Sequence, residues 1–240
     1  MTHGELRGVV ALDGPSGTGK STVARRLASA LSACYLDTGA MYRAATLACL
    51  RAGIELADAE SVAGITAAIE LAMGTDPLAP SVRLDGAGVD DEIRGPQVTA
   101  AVSTVAAVPA VRSVLIAEQR RIIARVVAAG GGIVVEGRDI GTVVAPDAGL
   151  RVYLDASPEA RARRRSRQDT AAGRSSTVEQ TRVAVDRRDG LDNRTTPLRA
   201  AAGAVTLDTT DLDINGVLAA LLSMVDERTM LVRPTGRCVR

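Results

Sequence analysis

The sequence predicts an α/β fold in which helices cover both faces of a parallel sheet. Short β-rich runs alternate with longer runs of helical periodicity, which is typical of strands joined by helical crossovers. A glycine-rich turn also separates the first strand from the first helix. The predicted strands, in chain order, are Val9–Asp13, Cys34–Leu36, Ile133–Glu136, Arg151–Asp155 and Ala204–Asp208.

The helices are predicted from apolar residues spaced three and four positions apart. A first helix covers Ser21–Leu31, and a long one begins after Pro109 and ends at Gly130. Ser176 and Glu179 provide a capping box for a further helix. The last helix carries an apolar stripe of Ile214, Val217, Leu218, Leu221, Leu222 and Val225. We expect these stripes to face the core.

One crossover is too long for a simple α/β unit. About eighty residues lie between the helix after the second strand and the third strand, whereas such a crossover needs about a dozen. We therefore predict a small α+β insertion over residues 60–105 that covers one side of the site. Its hairpin is predicted from Val82–Leu84 and Val89–Ile93, which flank the turn residues Asp85–Gly88.

The insertion divides the chain. The core domain is expected to comprise residues 1–60 and 105–226. The segment 227–240 shows no periodicity and is expected to be a loose tail.

Composition bounds the class of protein. Hydrophobic residues make up 46% of the 240 residues and the net charge is +1, which suits one domain with an insertion. Three cysteines without C-x-x-C spacing argue against a disulfide framework and against a zinc site. The start lacks the apolar segment of a signal peptide, and no run of about 18 apolar residues occurs. We expect a cytoplasmic monomer with no membrane partner.

The residue types that are missing exclude further classes. His3 is the single histidine, so a Ser/His/Asp hydrolase is excluded. The chain has no Phe or Trp and three Tyr, too few for the stacking platforms of single-stranded nucleic-acid binders. No nucleic-acid partner is therefore expected.

The glycine-rich turn has the Walker A pattern G-x-x-x-x-G-K-[ST], and a strand precedes it while a helix follows. Lys20 within it is the single lysine of the chain. A lysine ammonium can reach between phosphates as a point charge, and the loop amides and helix N-terminus add positive potential. We expect this loop to bind the phosphates of ATP and the Ser21 hydroxyl to bind Mg²⁺. The predicted ATP-binding residues are Gly14, Pro15, Ser16, Gly17, Thr18, Gly19, Lys20, Ser21 and Thr22.

Charged residues follow two further predicted strands. Asp37, Thr38 and Arg43 come after the second strand, and Arg138 with Asp139 follows the third. Ligands of open α/β sheets bind at the carboxyl ends of the strands. Two such ends beside one phosphate loop favour a shared site.

An arginine-rich segment follows the fourth strand. Its arginines are Arg161, Arg163, Arg164, Arg165 and Arg167, then Arg182, Arg187, Arg188 and Arg194. Like charges one turn apart destabilise an isolated helix by about 0.2–0.5 kcal/mol per pair, so the segment fits best opposite an anion. Because Arg161, Arg164 and Arg165 fall on one helical face, we predict a helical lid over about residues 157–190 that closes on nucleotide phosphates. A solvated charged face is the alternative, and a nucleic-acid patch is a weaker one because the chain is near neutral and poor in aromatic residues.

The ionisation state of an acceptor group at pH 7 indicates which class of acceptor this site suits. A hydroxyl acceptor usually needs a carboxylate base, whereas a phosphate monoester has a second pKa of about 6 and is already ionised at pH 7. An arginine-rich site without a catalytic histidine favours transfer to a phosphate. Asp37 could still act as base for a hydroxyl acceptor, so a small-molecule hydroxyl kinase remains the alternative.

Four motifs resemble those of bacterial cytidylate kinases, and the resemblance runs from about Val9 to Val225. The motifs are Gly-Pro-Ser-Gly-Thr-Gly-Lys-Ser, Leu-Asp-Thr-Gly-Ala-Met-Tyr-Arg, Gly-Arg-Asp-Ile-Gly-Thr-Val-Val and Arg-Asp-Gly-Leu-Asp-Asn. The resemblance implies a three-layer P-loop fold with a five-stranded parallel core sheet, a monophosphate-binding insertion and a mobile lid. It implies transfer of the γ-phosphoryl group of ATP to CMP or dCMP, with Mg²⁺.

The resemblance also implies roles for individual residues. It adds Arg138 and Arg188 to the cations expected to act in catalysis, which already include Lys20 from the phosphate loop and Arg161, Arg164 and Arg165 from the arginine-rich segment. The residues expected to bind CMP are Asp37, Thr38, Arg43, Ser103, Arg112, Arg138, Asp139, Arg188 and Asp192. Among these, Asp139 would accept from the cytosine amine while Arg112 and Ser103 donate to the ring nitrogen and carbonyl. CMP should therefore be preferred to UMP.

Two positions depart from the family pattern. Asp192-Asn193-Arg194 is one residue short, which leaves Arg194 without an assigned role. Thr38 stands where the family more often has serine. Two other classes of function are weaker alternatives. A GTPase switch lacks its Asn-Lys-x-Asp guanine reader, and an RNA-binding module would show binding that weakens steeply with salt and no nucleotide turnover.

Overall fold

A computed structural model describes residues 4–171, 178–197 and 199–232. Its strands are β1 (Glu5–Leu6), β2 (Gly8–Asp13), β3 (Cys34–Asp37), β4 (Leu71–Met73), β5 (Val82–Leu84), β6 (Ala87–Gly88), β7 (Gly132–Glu136), β8 (Leu150–Asp155), β9 (Val205–Asp208) and β10 (Leu231–Val232). Its α-helices are α1 (Lys20–Ala30), α2 (Thr38–Arg51), α3 (Ala59–Ala68), α4 (Pro96–Ala106), α5 (Pro109–Ala128), α6 (Pro158–Ala171), α7 (Val178–Thr195) and α8 (Ile214–Glu227). A 3₁₀ turn at Glu92–Arg94 and a π turn at Ile140–Val144 complete the elements.

The central sheet has five parallel strands in the order β3-β7-β2-β8-β9. All five strands predicted from the sequence are present, with ends that differ by a single residue. The sheet places β2 in the middle, so the loop after it lies between the loops that follow β7 and β8. The α/β fold with a five-stranded parallel sheet is confirmed.

Helices cover both faces of this sheet. Alternate residues of each strand point to opposite faces, so one strand contributes side chains to two cores. Val10 and Leu12 of β2 pack with α1 and α8 on one face. Ala11 of the same strand packs with α2 and α5 on the other. The expected apolar stripe of the last helix is buried at Val217, Leu221 and Val225.

The segment predicted as an insertion contains α3, α4 and an antiparallel sheet of order β4-β5-β6. The hairpin is present, but its second strand is Ala87–Gly88 rather than Val89–Ile93. A two-residue turn at Asp85 and Gly86, both with positive φ, closes it earlier than predicted. Val89 and Ile93 instead lie in a third core against α2.

The end of the described chain departs from the predicted loose tail. Leu231–Val232 pairs antiparallel with Glu5–Leu6, so the residues just after α8 are held by the N-terminal strand. Residues 233–240 lie outside the described residues, as does Ser176 of the predicted capping box. Within the described part of the chain, no single helix is long and apolar enough to cross a membrane. Only α4 and α5 together reach that length and composition, and they meet at a 99° bend.

Candidate active site

The loop from β2 to α1 turns where its glycines allow it. Gly14 has φ 143°, and a Cβ there would lie 2.1 Å from the Leu154 carbonyl oxygen. Gly19, the residue before α1, has φ 89° in the left-handed region. The loop therefore packs closely against β8 and places the N-terminus of α1 at the cavity.

Lys20 begins α1 and folds back over this loop. Its Nζ donates to the Gly14 and Pro15 carbonyl oxygens at 2.7 and 2.6 Å, and to the Thr18 hydroxyl at 3.3 Å. Burial lowers the pKa of Lys20, and the Arg138 guanidinium lowers it further. The ammonium is thus fixed where an incoming polyanion would stabilise its charged form.

Asp37 and Thr38 lie at the junction of β3 and α2. The Asp37 carboxylate caps α2 by accepting the Ala40 amide at 2.9 Å, and it faces the Arg94 guanidinium at 3.4 Å. The Thr38 hydroxyl is buried and donates to the Glu136 carbonyl oxygen at 2.7 Å. Both residues line the cavity.

Arg43 shows that the cavity is strongly electropositive. Its buried guanidinium donates to the Ile93 carbonyl oxygen and the Thr99 hydroxyl, at 2.9 and 3.0 Å. Burial lowers its pKa to about 9, with further lowering by Arg188, Arg165 and Arg94. Four guanidinium groups therefore converge on one region, and such a cluster favours a bound anion.

Arg138 connects the loop after β7 to the phosphate loop and to helix α7. It donates to the Gly14 carbonyl oxygen at 2.6 Å and pairs with Asp192 at 2.9 Å and Asp189 at 3.5 Å. Arg188 lies 3.8 Å from Asp192, and burial lowers its pKa, with a further contribution from Arg138. These contacts bring residues from distant parts of the chain to one edge of the sheet.

Two polar pairs form the side of the cavity next to α4 and α5. Arg112 Nη2 lies 2.5 Å from Asp139 Oδ2, and Asp139 is buried. The Ser103 hydroxyl donates to Asp192 at 2.8 Å, which joins α4 to α7. The residues expected to contact the cytosine ring thus line the same cavity, and each donor among them is paired with a carboxylate.

The predicted lid arginines separate into two groups. Arg165 lines the cavity. Arg161 instead pairs with Asp189 beside the phosphate loop, and Arg164 donates to the carbonyl oxygens of Thr209 and Leu212. The expectation that all three face the nucleotide phosphates therefore differs from the structure, because backbone and carboxylate oxygens accept from two of them. Arg194 is exposed and does not line the cavity.

Most residues predicted for the site line a single cavity. These are Ser16, Gly17, Gly19, Lys20, Ser21, Thr22, Asp37, Thr38, Arg43, Ser103, Arg112, Arg138, Asp139, Arg165, Arg188 and Asp192. The predicted residues that do not line it are Gly14, Pro15, Thr18, Arg161 and Arg164. The first three shape the phosphate loop from behind.

Sequence reasoning missed three charged residues of the site. Arg94 and Glu136 line the cavity, and Asp13 lies directly behind it. Glu136 is buried, and its carboxylate accepts from the Tyr35 hydroxyl at 2.5 Å. Burial raises the pKa of Glu136, with a further contribution from Asp37. A charged residue at the end of an apolar strand was the available signal for Asp13 and Glu136.

Comparison with known proteins places the chain in a family. The cytidylate kinase family model matches residues 10–227. A cytidylate kinase of Rhodococcus opacus is 53% identical over 92% of this chain and 96% of its own. One of Mycolicibacterium paratuberculosis is 51% identical over 94% of this chain and 98% of its own. A crystal structure of an uncharacterized protein from Eubacterium ventriosum shares the fold, with a TM-score of 0.52 and 8% identity over 92% of this chain and 99% of its own. The chain belongs to the cytidylate kinase family.

Proposed function

We propose that this member of the cytidylate kinase family transfers the γ-phosphoryl group of ATP to CMP or dCMP, giving ADP and CDP or dCDP. As a nucleoside monophosphate kinase it is a phosphotransferase. The observation that carries the proposal is the convergence of Arg43, Arg138, Arg165 and Arg188 on the cavity that also contains Lys20. Two polyanions held end to end would neutralise these cations, and the cations would stabilise the charge of the transferring group.

The donor and acceptor would occupy opposite ends of the cavity. The phosphate loop and Lys20 would bind the ATP phosphates, while Arg43, Arg138 and Arg188 would hold the CMP phosphate. Arg112, Asp139 and Ser103 would contact the cytosine ring. Asp192, which accepts from Ser103 and Arg138, would approach the ribose.

Two side chains near Lys20 carry oxygen atoms of the kind that binds Mg²⁺. The Ser21 hydroxyl lines the cavity beside the Glu136 carboxylate, and Mg²⁺ prefers such hard oxygen ligands together with substrate phosphates and water. Across the described residues there is no cluster of three or more His, Cys, Asp or Glu side chains fit for a metal. We therefore propose that Ser21 holds the ion jointly with the ATP phosphates. When bound, the ion would neutralise charge on the phosphates.

A catalytic base is not required for a phosphate acceptor. The second pKa of a phosphate monoester is about 6, so CMP is largely dianionic at pH 7. Asp37, the candidate base for a hydroxyl acceptor, caps α2 and faces Arg94 instead. This geometry favours CMP over a small-molecule alcohol as acceptor.

The lid helices would exclude water from the reacting phosphates. α6 and α7 pack against each other, and Arg165 and Arg188 reach the cavity from this pair. Water exclusion limits wasteful hydrolysis of ATP. Because residues of one chain complete the cavity, we propose a monomer, and we propose that it acts in the cytoplasm.

A coupled assay of ADP release tests the proposal. The purified chain is given ATP and Mg²⁺ with CMP, dCMP, UMP, AMP or GMP, and in parallel with a panel of small-molecule alcohols. We expect turnover with CMP and dCMP well above that with the other nucleotides. Turnover with an alcohol and none with CMP would support the hydroxyl kinase and reject the proposal.

A further inference from the structure

We propose that Asp13 is a positioning residue that fixes the CMP-binding loop to the strand that carries the ATP-binding loop. Asp13 is the last residue of β2, immediately before Gly14. The inference rests on the proposed roles of Arg138 and Asp139 in binding CMP, and it adds a group that those roles depend on.

The Asp13 carboxylate is buried, and both of its oxygens accept from the loop after β7. Oδ1 accepts the Ile140 amide at 2.7 Å, and Oδ2 accepts the Gly141 amide at 2.8 Å. These two amides open the π turn that directly follows Asp139. A carboxylate that receives two buried N–H groups defines their position closely, because an unpaired buried amide costs about 1–3 kcal/mol.

Asp13 belongs to a run of three residues that all hold the same loop. The carbonyl oxygen of Leu12 accepts the Gly137 amide at 3.0 Å. The carbonyl oxygen of Gly14 accepts from Arg138 Nη1 at 2.6 Å. Asp13 lies between them and binds the far end of the loop. The segment from Gly137 to Gly141 is therefore attached to β2 on both sides of Asp139.

Glycine at position 141 permits this contact. A Cβ there would lie 3.3 Å from Asp13 Oδ2 and 3.3 Å from two carbon atoms of the Arg151 side chain. These distances are tighter than most real Cβ contacts, so a larger residue would require the Asp13 carboxylate, the Arg151 side chain or the loop to shift slightly. The absence of a side chain at Gly141 therefore leaves room for the contact between the Asp13 carboxylate and the loop.

The geometry distinguishes positioning from direct participation. Asp13 does not line the cavity, and its two oxygens face the amides rather than the space where nucleotides would bind. Asp139 and Arg138, by contrast, do line the cavity. Asp13 would therefore act on CMP through the loop. It would also keep the donor and acceptor sites in register, since the same strand leads into the phosphate loop.

Asp13→Asn tests the inference. The amide side chain retains one acceptor oxygen but turns an NH₂ group toward a backbone N–H, so the loop should shift. We expect the KM for CMP to rise by roughly tenfold or more and the ratio of CMP to UMP kcat/KM to fall, with the KM for ATP changed by less than about threefold. The matched control is Asp147→Asn, because Asp147 is exposed on the turn before β8. It should leave all three parameters unchanged.

A second variant tests the same contact in case Asp13→Asn does not fold. Gly141→Ala crowds the same contact from the loop side and should change the KM for CMP and the selectivity in the same direction. Unchanged CMP parameters in both variants, or equal increases in the KM for ATP and CMP, would overturn the inference. If wild type and Asp139→Asn behave as proposed while the Asp13 variant does not, only the positioning role fails. If wild type does not phosphorylate CMP, the proposed function itself fails.

Discussion

The Arg112 guanidinium and the Asp139 carboxylate form a close ion pair, with Nη2 2.5 Å from Oδ2. Arg112 comes from α5 and Asp139 from the loop after β7, so the pair joins two elements that border the cavity, at the end proposed for CMP. A donor fixed beside an acceptor matches the Watson–Crick edge of cytosine, in which an amine neighbours a ring nitrogen and a carbonyl. Uracil would present an oxygen where cytosine has its amine.

Asp139→Asn should therefore weaken discrimination between CMP and UMP. An asparagine amide can turn either its oxygen or its NH₂ toward the base, so it no longer rejects the uracil carbonyl. We expect the ratio of CMP to UMP kcat/KM to fall by roughly 5- to 100-fold, equivalent to about 1–3 kcal/mol. The KM for ATP should change little. Steady-state kinetics with both nucleotides measures the ratio, Asp147→Asn serves as the exposed control, and an unaltered ratio would contradict the role of Asp139.

Lys20→Met should remove most turnover and leave the protein folded. The methionine side chain has a similar length but no charge to place between the phosphates. We expect kcat to fall by roughly 10²- to 10³-fold. Loss of the three Lys20 hydrogen bonds to the loop should lower the unfolding midpoint only slightly, since the loop is partly exposed.

The control for Lys20→Met is Arg26→Met on the same helix. Arg26 is exposed and bonds to the Asn215 side chain, away from the cavity. It should retain wild-type kcat. Near-normal turnover in Lys20→Met, or an equal loss in both variants, would refute the assignment of Lys20 to the phosphates.

Arg164→Ala and Arg165→Ala should have different effects although the two residues are adjacent. Arg164 donates to the Thr209 and Leu212 carbonyl oxygens, so its loss should mainly lower the unfolding midpoint and loosen the base of α6. Arg165 lines the cavity, so its loss should mainly lower kcat/KM. Thermal unfolding and kinetics on both variants test this, and a larger kinetic defect in Arg164→Ala would reverse the assignment.

Much of the fold could be predicted because the signals are local. Each core strand is a short apolar run beside a turn or helix signal, and the Walker A glycines lie in one contiguous segment. Strands β1, β4 and β10 were missed because they have only two or three residues, and their existence depends on partners distant in sequence. A two-residue strand leaves no periodicity to detect.

The candidate site shows the same division. The sequence shows charged residues at the ends of predicted strands, and this pattern identified Asp37, Arg138 and Asp139 as candidate site residues. The spacing of Arg161, Arg164 and Arg165 correctly put them near one another on α6, but it could not show that the loop after β9 receives Arg164. Likewise, the sequence shows a charged residue at Asp13 and at Glu136, but it could not show that Asp13 accepts from the loop after β7 or that Glu136 accepts from Tyr35, because these contacts depend on long-range packing.

Glu136→Gln should change how stability depends on pH. Burial raises the pKa of Glu136 from 4.5 to about 7, with a further contribution from Asp37, so the folded chain binds the proton more tightly than the unfolded chain. The unfolding free energy of wild type should then fall as pH rises from 4.5 through 7. Glutamine does not titrate, and its amide oxygen can still accept from Tyr35.

The stability of Glu136→Gln relative to wild type should therefore increase across that pH window, by up to about 3 kcal/mol for an isolated group. Urea unfolding of both proteins at intervals from pH 4.5 to 7 measures the difference. Comparing the two proteins cancels the titration of every other carboxylate that the substitution leaves undisturbed. Glu118→Gln, which removes a half-buried carboxylate that pairs with Arg121 on α5, is the matched control for the loss of a carboxylate elsewhere in the chain. A difference between Glu136→Gln and wild type that stays constant from pH 4.5 to 7 would mean that folding does not change the proton affinity of the Glu136 carboxyl, and it would contradict the prediction.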